Sequence, residues 1–236
     1  MQYASTMTED VILLQETHST TTTQKYWIRS WKDLVGQEGR IIFSHGTSST
    51  NGVAILIKKQ MQLKIHHRDT HGRMIAVELQ DMDLKIWNIY APNDGDATFF
   101  NFMEKQDVQE KHIVSGDFNA IMDPDLDRKT TSAHHTTTPR ITYLKCLMDN
   151  GWTDLWRRFN PNERQYTFKR GEYESRLDYI MVTDMMLGNV LEIEIGVPTV
   201  SDHAPVAAKV ALDVEVQRSP TWRLNRKLLA EKGFDQ

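Results

Sequence analysis

Short runs of apolar residues, separated by polar turn segments, recur along most of the chain. Residues 11–14 and 53–57 are continuously apolar, which is typical of strands buried on both faces. Residues 61–65 alternate between apolar and polar positions, as a strand with one exposed face does. The predicted strands are residues 11–14, 40–43, 53–57, 61–65, 74–79, 84–90, 112–114, 166–168, 177–182, 190–195 and 206–212.

Helical patterns are fewer than strand patterns. Residues 141–148 place apolar side chains on roughly one face and follow Pro139, a residue favoured in the first helical turn. Residues 97–105 and 153–158 are two further candidates. Since several strands read as buried on both faces, we predict two packed sheets whose outer faces are covered by helices.

The strand pattern ends before residue 218, and the residues that follow are basic. A chain of 236 residues can form one large domain or two small ones. We predict one domain at residues 1–217, and a basic tail or linker at residues 218–236. The lone Cys146 cannot form an internal disulfide, so a reducing compartment fits, either nucleus or cytoplasm. No apolar run approaches the ~20 residues needed to span a bilayer, so no membrane partner is expected.

The formal net charge of −4 argues mildly against a protein that holds nucleic acid by bulk electrostatics. The basic residues are unevenly spread. One group lies in the middle of the chain and comprises Arg157, Arg158, Arg164, Lys169, Arg170 and Arg176. A second lies near the end and comprises Arg218, Arg223, Arg226, Lys227 and Lys232. Taken alone, each group reads as a solvated face.

Several polar residues stand directly at the ends of predicted strands, where a sheet opens into loops. They are Glu16, Tyr90, Asn93, Asp117, Asn119, Asp178, Asp202 and His203. Asp117 and Asn119 are two residues apart, so in extended chain they share one face, and Phe118 points into the core. Asp202 and His203 are adjacent, and both reach one site only if "SDHAP" is a turn, as Pro205 favours.

This set of side chains suits the hydrolysis of a phosphodiester. Hard cations such as Mg²⁺ take oxygen ligands and keep waters for a phosphate substrate. A carboxylate can accept a proton from the attacking water, and asparagine or tyrosine can donate hydrogen bonds to phosphate oxygens. A histidine held by an aspartate can present an N–H or a positive charge to the same phosphate. Each residue alone also fits an ordinary turn or exposed loop, and their joint occurrence is what favours the functional interpretation.

The motifs "LLQETH", "NGVAILI", "NIYAPN", "SGDFNA", "SRLDYIMV" and "SDHAPV" resemble the endonuclease/exonuclease/phosphatase superfamily in order and spacing. The similarity is strongest to the apurinic-type endonuclease domain of LINE-type non-LTR retrotransposons. It implies an α/β fold, a four-layer sandwich of two packed mixed β-sheets flanked by helices. It also implies a divalent metal, Mg²⁺ or Mn²⁺, with no small-molecule cofactor. The partner is DNA, nicked to leave a 3′-hydroxyl that primes a reverse transcriptase domain of the full-length polyprotein.

The resemblance also implies roles for matching residues around the metal and the attacking water. Glu16 is expected to be the metal ligand, and Asp202 to lie near the metal. Asp117 is expected to orient or deprotonate the attacking water, and Asn119 to contact the scissile phosphate.

Further roles concern the phosphate and the DNA strand. Asp178 is expected to pair with His203, which faces the phosphate. Tyr90 and Asn93 are expected to support that phosphate and the strand around it. Contacts with the DNA backbone are expected from Thr167 and Ser175.

One departure from the family pattern concerns the start of the chain. Family members begin with a strand that ends in asparagine and stands beside the metal-binding glutamate. Here the first asparagine is Asn51, well after Glu16. We therefore expect residues 1–8 to be the end of a helix, and the first strand to be lacking through N-terminal truncation.

Two alternative functions stay open from the sequence. The chain could be a catalytically impaired, domesticated remnant that acts as a weak DNA-binding or interaction module. It could also keep the same chemistry but act on a phospholipid or inositol phosphate, although "YTF", "SRLDYI" and the basic tail favour DNA.

Overall fold

The computed structural model of the chain describes residues 1–129 and 138–212. Fourteen strands run along these residues. They are β1 (Val11–Leu14), β2 (Arg40–Ser44), β3 (Val53–Ile57), β4 (Leu63–Arg68), β5 (Met74–Leu79), β6 (Leu84–Tyr90), β7 (Lys111–Asp117), β8 (Arg128–Lys129), β9 (Trp152–Asp154), β10 (Phe168–Arg170), β11 (Tyr173–Ser175), β12 (Asp178–Thr183), β13 (Val190–Ile195) and β14 (Val206–Val210). The α-helices are α1 (Gln2–Thr6), α2 (Gln24–Val35), α3 (Asn101–Glu104), α4 (Pro139–Asp149) and α5 (Leu155–Phe159).

One six-stranded sheet forms the centre, in the order β4-β5-β6-β7-β12-β9. It is mixed, because β6 and β7 run parallel while its other pairs are antiparallel. The opposing layer has two antiparallel sheets, β1-β3-β2 and β13-β14. A small third sheet, β10-β11-β8, is linked to the segment before β14 by an isolated β-bridge between Phe168 and His203.

Three apolar clusters separate four layers. The first fills the space between the central sheet and the opposing sheets, where Ile55, Val77 and Ile180 are buried. A second packs the other face of the central sheet against α3 and α4, with Phe118 at 0% exposure. The third packs α1 and α2 on the outer face of the β1-β3-β2 sheet, around the buried Trp31. The predicted α/β class, packed sheets flanked by helices, is thus confirmed.

Most predicted strands are confirmed, several of them to the residue. The strands at 11–14, 53–57 and 84–90 match β1, β3 and β6. The strand predicted at 61–65 was misplaced, because β4 begins at Leu63 and extends further. The strand predicted at 166–168 begins only at Phe168, where pairing with β11 starts.

The helix predictions needed larger corrections. The helix at 97–105 is a 3₁₀ turn, Thr98–Phe100, followed by the single α-turn α3. The longest helix, α2, was not predicted at all. Its apolar face is marked by Trp27 and Trp31, four residues apart, and it ends at Gly36. The run of threonines before it obscured this signal, since β-branched residues are poor helix formers.

Helix α1 precedes β1, as expected for residues 1–8. Among the described residues, β1 and β14 each pair on one edge only. Both line a cavity of about 860 Å³, whose floor includes Ile86 and Ile180 of the central sheet. The expectation of a lacking first strand stays a prediction, as do the domain boundaries, and residues 218–236 lie outside the described ranges. Within those ranges, every helix is too short or too polar to cross a membrane.

Candidate active site

Three predicted site residues form one row across the central sheet. Tyr90 of β6 lies opposite Asp117 of β7 in the parallel pairing. Asp117 in turn lies opposite Asp178 of β12 in the antiparallel pairing. Cross-strand neighbours in register point to the same face of a sheet. The row therefore places a phenol and two carboxylates side by side at the end of the inter-sheet space.

The row ends where the loops after β6 and β7 begin, and two backbone features shape that point. Gly116 has φ +140°, and a Cβ there would clash with the carbonyl oxygen of Ile89, so only glycine fits before Asp117. Asn119 has φ +45°, a left-handed conformation that asparagine tolerates. Its backbone N–H donates to Asp117 Oδ1 at 2.8 Å, and its side-chain amide donates to the carbonyl of Ala91 at 2.8 Å. The two loops are thereby tied together.

Glu16 approaches this row from the opposing sheet. It lies two residues after the end of β1, is exposed, and has φ +50°. The next residues are anchored because Thr17 N–H donates to the carbonyl of Gly52 at 2.9 Å. The hydroxyl of Tyr90 donates a hydrogen bond to the Glu16 carboxylate. Burial, and then this carboxylate, raise the pKa of Tyr90 above its usual value of 10, so the phenol stays protonated.

His203 stands on the other side of the row. Its Nδ1 lies 2.8 Å from Asp178 Oδ2, and its ring packs 5.0 Å from the ring of Phe168. Burial alone would lower the pKa of His203, but the hydrogen bond and charge of Asp178, with Asp117 behind it, raise it to about 9. The imidazole is therefore a cation near neutral pH.

Asp117 lies in the middle and is 6% exposed. Its burial first, and the negative charge of Asp178 second, raise its pKa from 3.8 to about 7. The N–H of Asn119 and the charge of His203 oppose this rise. A carboxylate with a pKa near 7 is matched to accepting a proton near neutral pH.

Thr167 immediately precedes β10 of the small sheet, and Ser175 ends the middle strand, β11. Thr167 is 1% exposed, and its hydroxyl accepts hydrogen bonds from the backbone N–H groups of Leu177 and Asp178 at 2.9 and 3.0 Å. It thus holds the start of β12. Ser175 is partly buried, and its carbonyl accepts from Thr167 N–H at 3.0 Å. Their predicted contacts with DNA stay predictions.

Asn93 and Asp202 lie at the rim. Asn93 is exposed in the loop after β6. Within "SDHAP", predicted to be a turn, Ser201 and Asp202 form a bend and His203 then forms an isolated β-bridge with Phe168. Asp202 is exposed and His203 is partly buried. The Asp202 carbonyl accepts a hydrogen bond from Lys169 N–H at 3.0 Å, and the Asp202 charge contributes to the raised pKa of His203. Its proximity to a metal stays a prediction.

One basic residue that the sequence placed on a solvated face is buried instead. Arg176 is 1% exposed, and its guanidinium donates hydrogen bonds to both Asp127 and Asp154 at 2.7 to 3.1 Å. Arg157 adds a second ion pair to Asp127. This network fixes the chain two residues before Asp178. Its acidic members lie far from Arg176 in sequence, so no local pattern revealed it.

A second basic residue was missed beside the row. The Arg73 guanidinium lies 4.9 Å from the centre of the Tyr90 ring, and its Nη1 donates to the Tyr90 carbonyl at 3.2 Å. The only sequence signal was its place just before a predicted strand.

The donor set fits a hard cation shared with a substrate. Within residues 1–129 and 138–212, His, Cys, Asp and Glu side chains form no group of three or more that could enclose a metal. Glu16 is an exposed carboxylate whose charge reaches Asp117. Mg²⁺ commonly uses one or two carboxylates, with waters and substrate phosphates completing its shell. The residues present suit that arrangement.

The fold, the grouped carboxylates, the tyrosine and the aspartate-held histidine support a nuclease-type enzyme. Residues 2–203 match the model of the Endonuclease/Exonuclease/phosphatase family, and the chain belongs to that family. It is 27% identical over 241 residues to the Transposon TX1 uncharacterized 149 kDa protein of Xenopus laevis. That match covers 95% of this chain but only 18% of the transposon protein. The predicted resemblance is confirmed.

Solved structures share the fold. An AP endonuclease from Archaeoglobus fulgidus superposes with a TM-score of 0.69 at 20% identity, over 87% of this chain and 89% of that one. The 3′ phosphatase NExo from Neisseria, solved with a product DNA hairpin, gives a TM-score of 0.65 at 22% identity, over 86% and 89% of the two chains.

Proposed function

We propose that this chain is a Mg²⁺-dependent DNA endonuclease that nicks one strand by phosphodiester hydrolysis. The observation that carries the proposal is the in-register row of Tyr90, Asp117 and Asp178, with Glu16 on one side and His203 on the other. Water adds to phosphorus, the bond to the 3′ oxygen breaks, and the phosphate stays on the 5′ end. The released 3′-hydroxyl is the end that a polymerase can extend.

Glu16, with Asp202 nearby, would hold the Mg²⁺, or Mn²⁺ in its place. The bound cation supplies charge that offsets the negative charge developing on the phosphate. Tyr90 keeps the Glu16 carboxylate in place through its hydroxyl hydrogen bond. Because Glu16 is exposed and its backbone is left-handed, that bond limits the positions its side chain can take.

Asp117 accepts the proton of the attacking water. It is buried, lies centrally in the row, and carries a pKa of about 7, as a general base requires. Asn119 holds Asp117 by its backbone N–H and uses one side-chain hydrogen for Ala91. Its second amide hydrogen is left to contact a phosphate oxygen, since a primary amide has two.

His203 stabilises the phosphate as a cation. Asp178 orients the imidazole through Nδ1, so Nε2–H is the atom that faces the substrate. Exposed Asn93 supports the same phosphate from the loop after Tyr90.

The proteins that this chain resembles support DNA as the substrate. One structural neighbour is an AP endonuclease, and another was solved with a product DNA hairpin. The transposon relative supports a role in which the nick primes reverse transcription, by a reverse transcriptase domain of a longer polyprotein. A reducing compartment, nuclear or cytoplasmic, fits the single exposed Cys146.

A duplex oligonucleotide assay tests substrate and product together. A labelled duplex with an A/T-rich centre is incubated with the chain and Mg²⁺, and the nicked product is offered to a DNA polymerase. We expect a nick whose 3′ end is extended without prior phosphatase treatment. An inositol phosphate should compete poorly. Preferential hydrolysis of the inositol phosphate, or a nick that cannot be extended, would contradict the proposal.

A further inference from the structure

Asn88 is a fully buried polar residue within the central sheet. It lies on β6 two residues before Tyr90, at 0% exposure, and opposite Ser115 of β7. Residues two apart on a strand point to the same face, so Asn88 and Tyr90 both face the opposing sheet. Asn88 therefore lies one step deeper than the row of Tyr90, Asp117 and Asp178.

The side-chain amide of Asn88 joins the two main layers of the fold. Its Nδ2 donates to the carbonyl of Leu14 at 3.0 Å and to the carbonyl of Ala54 at 2.9 Å. Its Oδ1 accepts from Nε2 of Gln15 at 2.6 Å. Both amide hydrogens and the oxygen are thus used, all toward β1, β3 and the residue after β1.

Leu14 and Gln15 are the two residues that precede Glu16. Beyond them the backbone turns into the left-handed conformation of Glu16. Strand β6 thus holds this carboxylate twice, through Asn88 at the backbone before it and through Tyr90 at the carboxylate itself. We propose that Asn88, together with Gln15, is a positioning pair that sets Glu16 for cation binding. The inference rests on the proposed function, because it assigns Glu16 to the metal.

Partners behind a metal ligand influence affinity without touching the ion. Removing them commonly lowers metal affinity by about 10- to 100-fold. A purely structural role would instead reduce stability and leave cation affinity unchanged. Replacing a buried amide lowers stability in either case, because the carbonyl groups it served lose their hydrogen-bond donor. The test must therefore separate cation affinity from stability.

Asn189 provides a matched control. It is 3% exposed, and its Nδ2 donates to the carbonyl of Ala211 at 2.6 Å. It precedes β13, and this partner, Ala211, lies just beyond β14 rather than at the row. A substitution at Asn189 also leaves a carbonyl of the partly buried Ala211 without its side-chain donor, but away from Glu16.

The test follows the backbone amide of Glu16 by NMR while Mg²⁺ is added without DNA. The variants are Gln15→Met, Asn88→Asp and Asn189→Asp, with Glu16→Gln to identify the signal of the Glu16 site. Gln15→Met removes only the hydrogen bond from Gln15 to Asn88, and Gln15 is partly buried. It is therefore the variant that should destabilise the fold least. Thermal unfolding is measured for each.

We expect Gln15→Met and Asn88→Asp to raise the Mg²⁺ concentration at half-saturation about tenfold or more. Asn189→Asp should lower thermal stability and leave half-saturation at the wild-type value. Wild-type half-saturation in Gln15→Met would overturn the inference, as would an equal shift in Asn189→Asp. A wild-type protein without a Glu16-dependent Mg²⁺ signal would overturn both this inference and the metal assignment. Normal Mg²⁺ binding and the expected shifts, without nicking of DNA, would contradict the proposed function alone.

Discussion

Asp117 and Asp178 lie directly opposite each other on neighbouring antiparallel strands, yet they serve different partners. Asp178 is bonded to His203, whereas Asp117 accepts from the backbone of Asn119. Burial first, and the nearby negative charge of Asp178 second, raise the pKa of Asp117 to about 7. In the proposed mechanism, one carboxylate thus orients a cation, and the other is left as a base.

The raised pKa of Asp117 implies that this residue destabilises the metal-free protein at high pH. The folded-state pKa lies above the ordinary 3.8, so the penalty is small near pH 4, grows as pH rises between about 4 and about 7, and is complete above that. We expect Asp117→Asn to raise the free energy of unfolding by up to about 4 kcal/mol at pH 8 and to change it little at pH 4. Urea unfolding in EDTA at both pH values measures this. A loss of stability at pH 8 would contradict it.

The pairing of Asp178 with His203 should be visible in a histidine titration. We expect the His203 imidazole to titrate at about 9 by NMR, and Asp178→Asn to return its pKa toward 6.5. Since the folded-state pKa is raised, the pair stabilises the fold fully below pH 6.5, and this stability is lost as pH rises through about 9. His45, whose pKa burial lowers, is the internal control and should be unchanged. If the pKa of His203 in Asp178→Asn stays at its wild-type value, Asp178 does not have the assigned role.

The buried ion pairs of Arg176 predict a large effect on stability. Arg176→Met leaves Asp127 and Asp154 without their main partner, so we expect a loss of about 3–5 kcal/mol in the free energy of unfolding. Arg29→Met is the control, because Arg29 is 85% exposed and 3.9 Å from Asp33, and we expect a change within about 0.5 kcal/mol. Equal changes in the two variants would show that the network contributes no more than a surface pair.

Tyr90→Phe removes only the hydroxyl that bonds to Glu16. Hydrogen bonds to charged groups contribute about 1.5–3 kcal/mol, so we expect kcat/KM for nicking to fall by about 10- to 100-fold. Tyr26→Phe, at a 64% exposed position on α2, should retain wild-type activity. Initial nicking rates at saturating Mg²⁺, measured over a range of DNA concentrations, give kcat/KM for each variant. A Tyr90→Phe rate within twofold of wild type would mean that Glu16 does not depend on this hydroxyl.

Features written in local pattern could be predicted from the sequence. The apolar runs predicted β1, β3 and β6. The spacing of Asp117 and Asn119 correctly predicted that Phe118, between them, points into the core. The motifs at strand ends identified Asp117, Asp178 and His203 as a set. The structure then brought the three together.

Features that depend on distant partners could not be predicted. Arg176 read as a surface charge because its buried partner Asp127 lies on a separate loop. Asn88 read as an ordinary strand residue because its partners, Leu14 and Ala54, come from another layer. Such contacts are set by how sheets stack, and neither strand periodicity nor turn chemistry encodes that stacking.

The nicking of supercoiled plasmid tests the central claim most directly. The chain and Asp117→Asn are incubated with plasmid in Mg²⁺ and, in parallel, in EDTA. The account predicts open-circular DNA from the wild-type chain in Mg²⁺ only, and none from Asp117→Asn, whose folding is checked by circular dichroism. Equal nicking by Asp117→Asn, or nicking in EDTA, would contradict the mechanism. A folded wild-type chain that binds plasmid without nicking it would instead favour the non-catalytic DNA-binding module.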